Sequence, residues 1–264
     1  MWDATQYLRF GGERARPFMD LLARVGAELP SHVVDMGCGP GNLTVLLAER
    51  WPSAAVCGVD SSPQMIEAAR KLVLRDAPGL SFVVDDVRHW EPQSLPDVIV
   101  SNAVLQWVPG HRELLVRWAD WLADDGWLAF QVPGNFDQPS YAILRELTAS
   151  ARWRPLLRDV EQNRQTADPA AYAELLAKAG CEVDAWETTY VHILEGNDPV
   201  LEWYKGTGLR PVLAVLDADQ AADFLAEYGE RLREAYPPRS FGTVFPFRRV
   251  FTVARRAKKP GFSY

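Results

Sequence analysis

The chain has 264 residues, 48% hydrophobic and 24% charged, enough apolar material for a full core and too much for disorder. Its formal net charge of −7 argues against non-specific nucleic-acid binding, which needs a basic surface. No apolar run approaches the roughly 18 residues of a membrane span, and Met1-Trp2-Asp3-Ala4 lacks the basic and apolar regions of a signal peptide.

Residues 17–29 read as a helix, with Pro17 in its first turn and Phe18, Leu21, Leu22 and Val25 on one face. Residues 32–35 read as a buried strand, followed by a glycine loop and a helix over 42–50. A second strand over 55–59 ends at Asp60. Ser62 is an N-cap candidate for a helix running from Pro63 to about residue 74. Further strands are expected over 80–84, 97–101 and 127–132, with a helix over 112–122. Strands alternating with helices imply a parallel sheet covered on both faces.

After Pro133 the rhythm changes. Residues 139–152 and 199–235 look helical, and 169–179 is a helix that Gly180 closes. Long strands are expected over 182–193 and 244–256, closing the sheet with an antiparallel edge. Phe247, Arg249, Phe251 and Val253 share one face of the last strand. The expected organisation is a cover segment over 1–30, a Rossmann-like nucleotide-binding core over 31–135, and a helical cover over 136–243. That cover contributes one helix and one strand (about 169–193) to the core, and 244–264 form the final strand and a basic tail. The fold class is α/β, a seven-stranded sheet with helical cover insertions.

The chemistry concentrates at strand ends. Asp35-Met36-Gly37-Cys38-Gly39-Pro40-Gly41 lies between a strand and a helix, where glycines let a ligand approach the main chain. Asp60 ends the second strand, where a carboxylate can accept from both ribose hydroxyls. Ser61 and Met65 follow it. Asp85-Asp86-Val87 ends the third strand; Asp86, preferred over Asp85, can accept from an adenine amino group. Ser101-Asn102-Ala103 ends the fourth and leads into Leu105-Gln106-Trp107. Ligands of doubly wound sheets sit beyond the carboxyl ends of the strands, so these segments should line one crevice. A dinucleotide fingerprint would read Gly-x-Gly-x-x-Gly; here the loop is Gly-x-Gly-x-Gly after an acid that would repel a pyrophosphate. S-adenosylmethionine, which carries an amino acid and a sulfonium, fits better, with Asp35 near its ammonium group. The expected cofactor residues are Asp35, Gly37, Cys38, Gly39, Asp60, Ser61, Met65, Asp86, Val87, Asn102, Ala103 and Trp107.

The glycine loop, Gly58-Val59-Asp60-Ser61-Ser62-Pro63-Gln64-Met65 and Asp86-Val87-Arg88 resemble class I S-adenosylmethionine-dependent methyltransferases. Tyr7-Leu8-Arg9-Phe10, Glu13-Arg14-Ala15-Arg16-Pro17, Leu105-Gln106-Trp107, Ala179-Gly180-Cys181-Glu182-Val183-Asp184 and Thr207-Gly208-Leu209-Arg210-Pro211 resemble the trans-aconitate 2-methyltransferase family. The likeness covers nearly the whole chain; residues 241–249 fit it less well and the tail from Ala257 lies outside it. It implies S-adenosylmethionine as cofactor, S-adenosylhomocysteine as product, and monomethyl esterification of a small polycarboxylate. A carboxylate titrating near pKa ~4 is already ionised and needs no general base. Arginines suit such an anion because their planar fork binds carboxylate at two points. The substrate-positioning candidates are Tyr7, Arg9, Arg14, Arg16, Arg88, Trp107, Tyr190, Arg210 and Arg249. A phenol, a quinone precursor or an acyl-carrier-bound acid stays open as the acceptor.

His32, His89, His111 and His192 form no metal-ligand pattern, so no metal is expected. Cys38, Cys57 and Cys181 suit neither a disulfide framework nor a zinc site and read as reduced thiols of a cytoplasmic protein. The expected partners are a small-molecule polycarboxylate and neither nucleic acid nor membrane, in a monomer or weak homo-oligomer.

Overall fold

The computed structural model describes residues 11–72, 79–160 and 166–258, and the side chains from residue 15 onward within these ranges. Five parallel strands form first: β1 (His32–Met36), β2 (Ala55–Asp60), β3 (Leu80–Val84), β4 (Val98–Asn102) and β5 (Trp127–Pro133). The central strands are buried on both faces, as in β4, where Val98, Ile99 and Val100 are inaccessible to solvent, whereas β3 at the sheet edge leaves Val83 and Val84 exposed. Three later strands complete the sheet: β6 (Cys181–Leu194), the two-residue β7 (Pro238–Arg239) and β8 (Gly242–Arg256). The order is β3-β2-β1-β4-β5-β8-β6, with β7 paired beside β8. The long strands expected late in the chain are present, but β8 is internal: it runs antiparallel to both β5 and β6, leaving β6 at the edge.

Helices α1 (Gly11–Leu22), α2 (Thr44–Arg50), α3 (Pro63–Arg70) and α4 (His111–Trp121) pack on the sheet with α7 (Pro169–Lys178). Ser62 caps α3 by accepting from the Met65 N–H, and Gly180 (φ +83°) follows α7. Helix α1 departs from expectation. It starts at Gly11 and ends at Leu22, so Pro17 lies inside it and not in its first turn. Phe18, Leu21, Leu22 and Val25, all after Pro17, are buried against the sheet as expected, and the additional helical turns lie before the proline.

The cover comprises α5 (Pro139–Ala149), α6 (Arg154–Leu157), α8 (Pro199–Lys205), α9 (Arg210–Leu213) and α10 (Ala218–Ala235). The continuous helical stretch expected over 199–235 is thus broken into three pieces, at the turns holding Gly206, Gly208 and Asp217. The cover has its own core, centred on Trp153, Trp203, Phe224 and Phe245. Its hydroxyls converge on Ser140: Tyr228 Oη donates to the Ser140 carbonyl at 2.9 Å, and Tyr204 Oη lies 2.7 Å from Ser140 Oγ. Among the described residues no helix is long and apolar enough to cross a membrane.

Candidate active site

The loop after β1 turns sharply because Gly37 and Gly39 take left-handed φ values of +80° and +55°. A Cβ at Gly37 would sit 2.2 Å from Val104 Cγ2, so a side chain is excluded twice over. A Cβ at Gly39 would meet nothing within 4 Å, because the residue faces a cavity of about 360 Å³. That volume is within the range of small-molecule and cofactor pockets. The N–H groups of Gly37 and Cys38 both donate to the Val59 carbonyl, at 2.7 and 3.0 Å, which ties the loop to the end of β2.

Asp60, half-buried at that strand end, lines the cavity. Its Oδ2 accepts from the Gly39 N–H at 2.9 Å and its Oδ1 from the Ser62 N–H at 2.8 Å. Burial pushes its pKa up, while the two backbone bonds oppose the rise. One lone pair on each oxygen remains for a ligand hydroxyl. Ser61 and Met65 continue the same wall.

Beyond β3, Asp86, Val87 and Arg88 form the next stretch. Arg88 grips Asp86 through Nε (3.0 and 3.1 Å) and Nη2 (2.6 Å), and this bonding holds the carboxyl down at about 2. Asp85 turns instead to the Asp86 N–H, accepting at 2.7 Å.

Asn102, Ala103 and Trp107 line the cavity beyond β4. Ala103 has φ +56°, a conformation costing a residue with a side chain about 1 kcal/mol or more. It is held from both sides: its N–H donates to the Gln131 carbonyl at 3.0 Å and its carbonyl accepts from Gln106 Nε2 at 2.6 Å.

The cover completes the far wall with Tyr141, Trp203, Tyr204, Thr207 and Phe247. Set among these rings is Arg249, 5% exposed. Its Nη1 donates to Gln131 Oε1 at 3.2 Å and its guanidinium carbon lies 4.6 Å from the Phe247 ring centroid. One cavity therefore joins a glycine loop and a strand-end carboxylate, the signature of a nucleoside-bearing cofactor, to a buried cation under an aromatic cover.

The comparisons with known proteins agree with this geometry. The family described as a methyltransferase domain matches residues 10–185. A trans-aconitate 2-methyltransferase of Streptomyces avermitilis is 56% identical over 261 residues, covering 97% of each chain. One from Rhodococcus jostii is 55% identical over 258 residues, covering 97% of this chain and 99% of its own. The chain belongs to the trans-aconitate 2-methyltransferase family. Among solved structures, a Haloferax volcanii methyltransferase in complex with the Trm112 activator aligns with TM-score 0.60 at 19% identity, covering 98% and 95% of the two chains. A Haemonchus contortus phosphoethanolamine N-methyltransferase holding S-adenosylhomocysteine aligns with TM-score 0.56 at 16% identity, covering 92% of this chain and 53% of its own. Both likenesses are of fold: the sheet is that of class I methyltransferases.

In this methyltransferase the structure gathers at the cavity Gly37, Gly39, Asp60, Ser61, Met65, Asp86, Val87, Asn102, Ala103 and Trp107 from the expected cofactor residues. It does not bring Asp35 or Cys38 there. Asp35 is buried behind the loop, where its Oδ2 accepts from Thr44 Oγ1 at 2.7 Å and anchors the start of α2. Burial pushes its pKa up to about 7, the Thr44 bond opposing and the Asp60 charge adding. Cys38 packs into the core beneath the loop, where burial and the nearby Asp35 and Asp60 raise its thiol pKa.

Of the expected substrate-positioning residues, Arg88, Trp107 and Arg249 line the cavity. Arg16, Tyr190 and Arg210 do not. Tyr190 is buried against α1; its hydroxyl donates to Asp20 Oδ2 at 2.6 Å and its ring lies 5.2 Å from the Arg16 guanidinium carbon. These three residues dock the helix on the sheet. Arg210 opens α9 in the cover, half-buried, its pKa lowered by burial. Tyr7 and Arg9 lie outside the described residues, as does the side chain of Arg14. The cavity residues not chosen as site candidates include the cover residues Tyr141, Trp203, Tyr204 and Thr207, Phe247 of β8, and Val104, Val108, Pro109 and Pro133 at the strand ends. Of these, Thr207 lies within the Thr207-Gly208-Leu209-Arg210-Pro211 block, from which only Arg210 was chosen as a candidate.

Proposed function

We propose that this chain transfers a methyl group from S-adenosylmethionine to a carboxylate of trans-aconitate or a closely related small polycarboxylate, giving a monomethyl ester and S-adenosylhomocysteine. The observation that carries the reading is Arg249, a buried guanidinium in the wall of the cavity that the glycine loop opens into. The curated relatives named for trans-aconitate methylation support the same acceptor.

The residues present suit the cofactor. Gly39 leaves open space where any side chain would intrude, and Asp60 keeps acceptor capacity for two adjacent hydroxyls. Asp86 and Val87 would flank the base, with Asp86 ionised in the grip of Arg88. When bound, S-adenosylmethionine supplies a methyl group on a positively charged sulfur. The protein's own contribution is placement. Arg249 would hold the ionised acceptor carboxylate or its neighbour through charge-assisted bonds. Trp203, Tyr204 and Phe247 would keep water from the anion, so that it is presented poorly solvated. No proton has to be removed from an ionised carboxylate, and among the described residues neither histidine nor lysine lines the cavity. The three cysteines, unpaired and buried or half-buried, fit a place in the reducing cytoplasm.

Arg249→Met and Arg249→Lys test this role. Loss of a charge-assisted fork is worth about 1.5–3 kcal/mol, roughly a tenfold to hundredfold effect. The expected result is that rise in KM for the acid, with the dissociation constant of S-adenosylhomocysteine unchanged within about twofold. A KM that does not move, or a cofactor constant that moves equally, overturns the assignment.

A further inference from the structure

Gln131 lies on β5, 1% exposed, bonded to two residues of the cavity wall, Asn102 and Arg249. It pairs in register with Asn102 on β4 and with Phe251 on β8, and Arg249 stands two residues from Phe251. Side chains two apart on a strand share a face, so Asn102, Gln131 and Arg249 project from the same side of the sheet. They are joined in series: Arg249 Nη1 to Gln131 Oε1 at 3.2 Å, and Gln131 Nε2 to Asn102 Oδ1 at 2.5 Å.

The direction of this series is forced by chemistry. A guanidinium has donors and no acceptor, so Gln131 must face it with its oxygen. The Gln131 amide nitrogen is then turned toward Asn102, which must answer with its own oxygen. Asn102 is left with its NH2 as the end of the series. No acceptor among the described residues takes the Asn102 Nδ2 hydrogens, and Asn102 lines the cavity. Gln131 also fixes the next residue, since its carbonyl accepts from the N–H of Ala103.

We propose that Gln131 is a positioning residue that transmits the donor polarity of Arg249 to Asn102, so that both residues offer N–H groups to the same carboxylate-bearing substrate. Asn102 then serves the acceptor and not the cofactor. This rests on the carboxyl-methylation reading. A three-residue donor series explains why an uncharged amide is buried in a core strand. Its amide is matched on both sides, which an apolar residue would leave unsatisfied. It also gives the site a preference for anionic over neutral acceptors, because the donors cannot reverse while Arg249 is present.

Gln131→Glu tests it. A carboxylate at 131 still accepts from Arg249 but cannot donate to Asn102, so Asn102 turns its NH2 inward and presents its oxygen to the cavity. Gln131→Met removes both bonds at similar volume and guards against misfolding from a buried charge. Steady-state kinetics with trans-aconitate would be run beside calorimetry with S-adenosylhomocysteine, after melting curves confirm folding. The expected result is a KM for the acid raised tenfold or more in Gln131→Glu and severalfold in Gln131→Met, with cofactor affinity within twofold of wild type. Asn102→Asp should match Gln131→Glu. If wild type methylates the acid but the variants keep its KM, or lose cofactor affinity in parallel, the series plays no such part while carboxyl methylation stands. If wild type neither methylates nor binds any di- or tricarboxylate, the carboxyl-methylation reading fails and the positioning role falls with it.

Discussion

At the scale of single residues, the strand-end acids divide by what surrounds them. Asp60 sits at the cavity with two backbone N–H groups already on it. Asp60→Ala is expected to weaken S-adenosylhomocysteine binding by about 1.5–3 kcal/mol, the scale of bonds to a charged group; calorimetry showing an unaltered constant would remove it from the cofactor site. Asp35 is a different case. It is held near pKa 7 against an ordinary value of 3.8, so between those limits the folded chain keeps a proton that the unfolded chain has released. The stability contributed by this group is full at low pH, falls as pH rises from about 4 to 7, and is lost above. The span from 3.8 to about 7 corresponds to roughly 4 kcal/mol, an upper figure for a buried acid. Asp35→Asn should therefore flatten the decline in melting temperature of the cofactor-free protein between pH 5 and 8; an unaltered slope would show that the acid titrates normally. The glycine loop and Asp60 were legible because their chemistry is local: consecutive residues at one strand end. Arg249 was legible only as one of several arginines, since its burial depends on β8 lying against β5. Gln131 gave no signal, being a polar residue in a strand whose partners come from residues 102 and 249.

At the scale of elements, alternation of strand and helix announced the sheet through β5, and the structure follows that reading to within a few residues. The later segments were harder. Pro17 reads locally as a helix start, yet α1 begins six residues earlier, at Gly11, and holds the proline in its interior. Residues 199–235 carry enough helical spacing to look continuous, but the chain breaks after Lys205, and the turn there places Thr207 at the cavity beside Trp203 and Tyr204 of α8. Helix α10 restarts at a capping box, in which Asp217 accepts from the Gln220 N–H at 2.9 Å and the Gln220 side chain answers the Asp217 N–H at 3.2 Å. Asp217→Ala is expected to cost about 1 kcal/mol in urea unfolding, with KM for the acid little changed; a stability equal to wild type would mean the cover does not depend on this cap.

At the scale of the whole molecule, a chain of net charge −7 is asked to bind an anion. Long-range repulsion from the surface is screened by salt, with a Debye length near 10 Å at 0.1 M, whereas a buried guanidinium is screened little. Arg249 is 5% exposed and Arg88 is engaged with Asp86. Raising ionic strength from low to physiological should thus leave the KM for trans-aconitate flat or lower it. A severalfold rise would place the acid among exposed cations instead. The sheet order permits this arrangement, because inserting β8 between β5 and β6 sets Arg249 opposite Pro133 at the carboxyl end of β5, on the rim where the cavity opens. Transfer of a labelled methyl group from S-adenosylmethionine to trans-aconitate, read by mass spectrometry of the product, tests the account most directly. It should yield a monomethyl ester in step with S-adenosylhomocysteine; a protein that binds the cofactor yet forms no ester on any di- or tricarboxylate would contradict it.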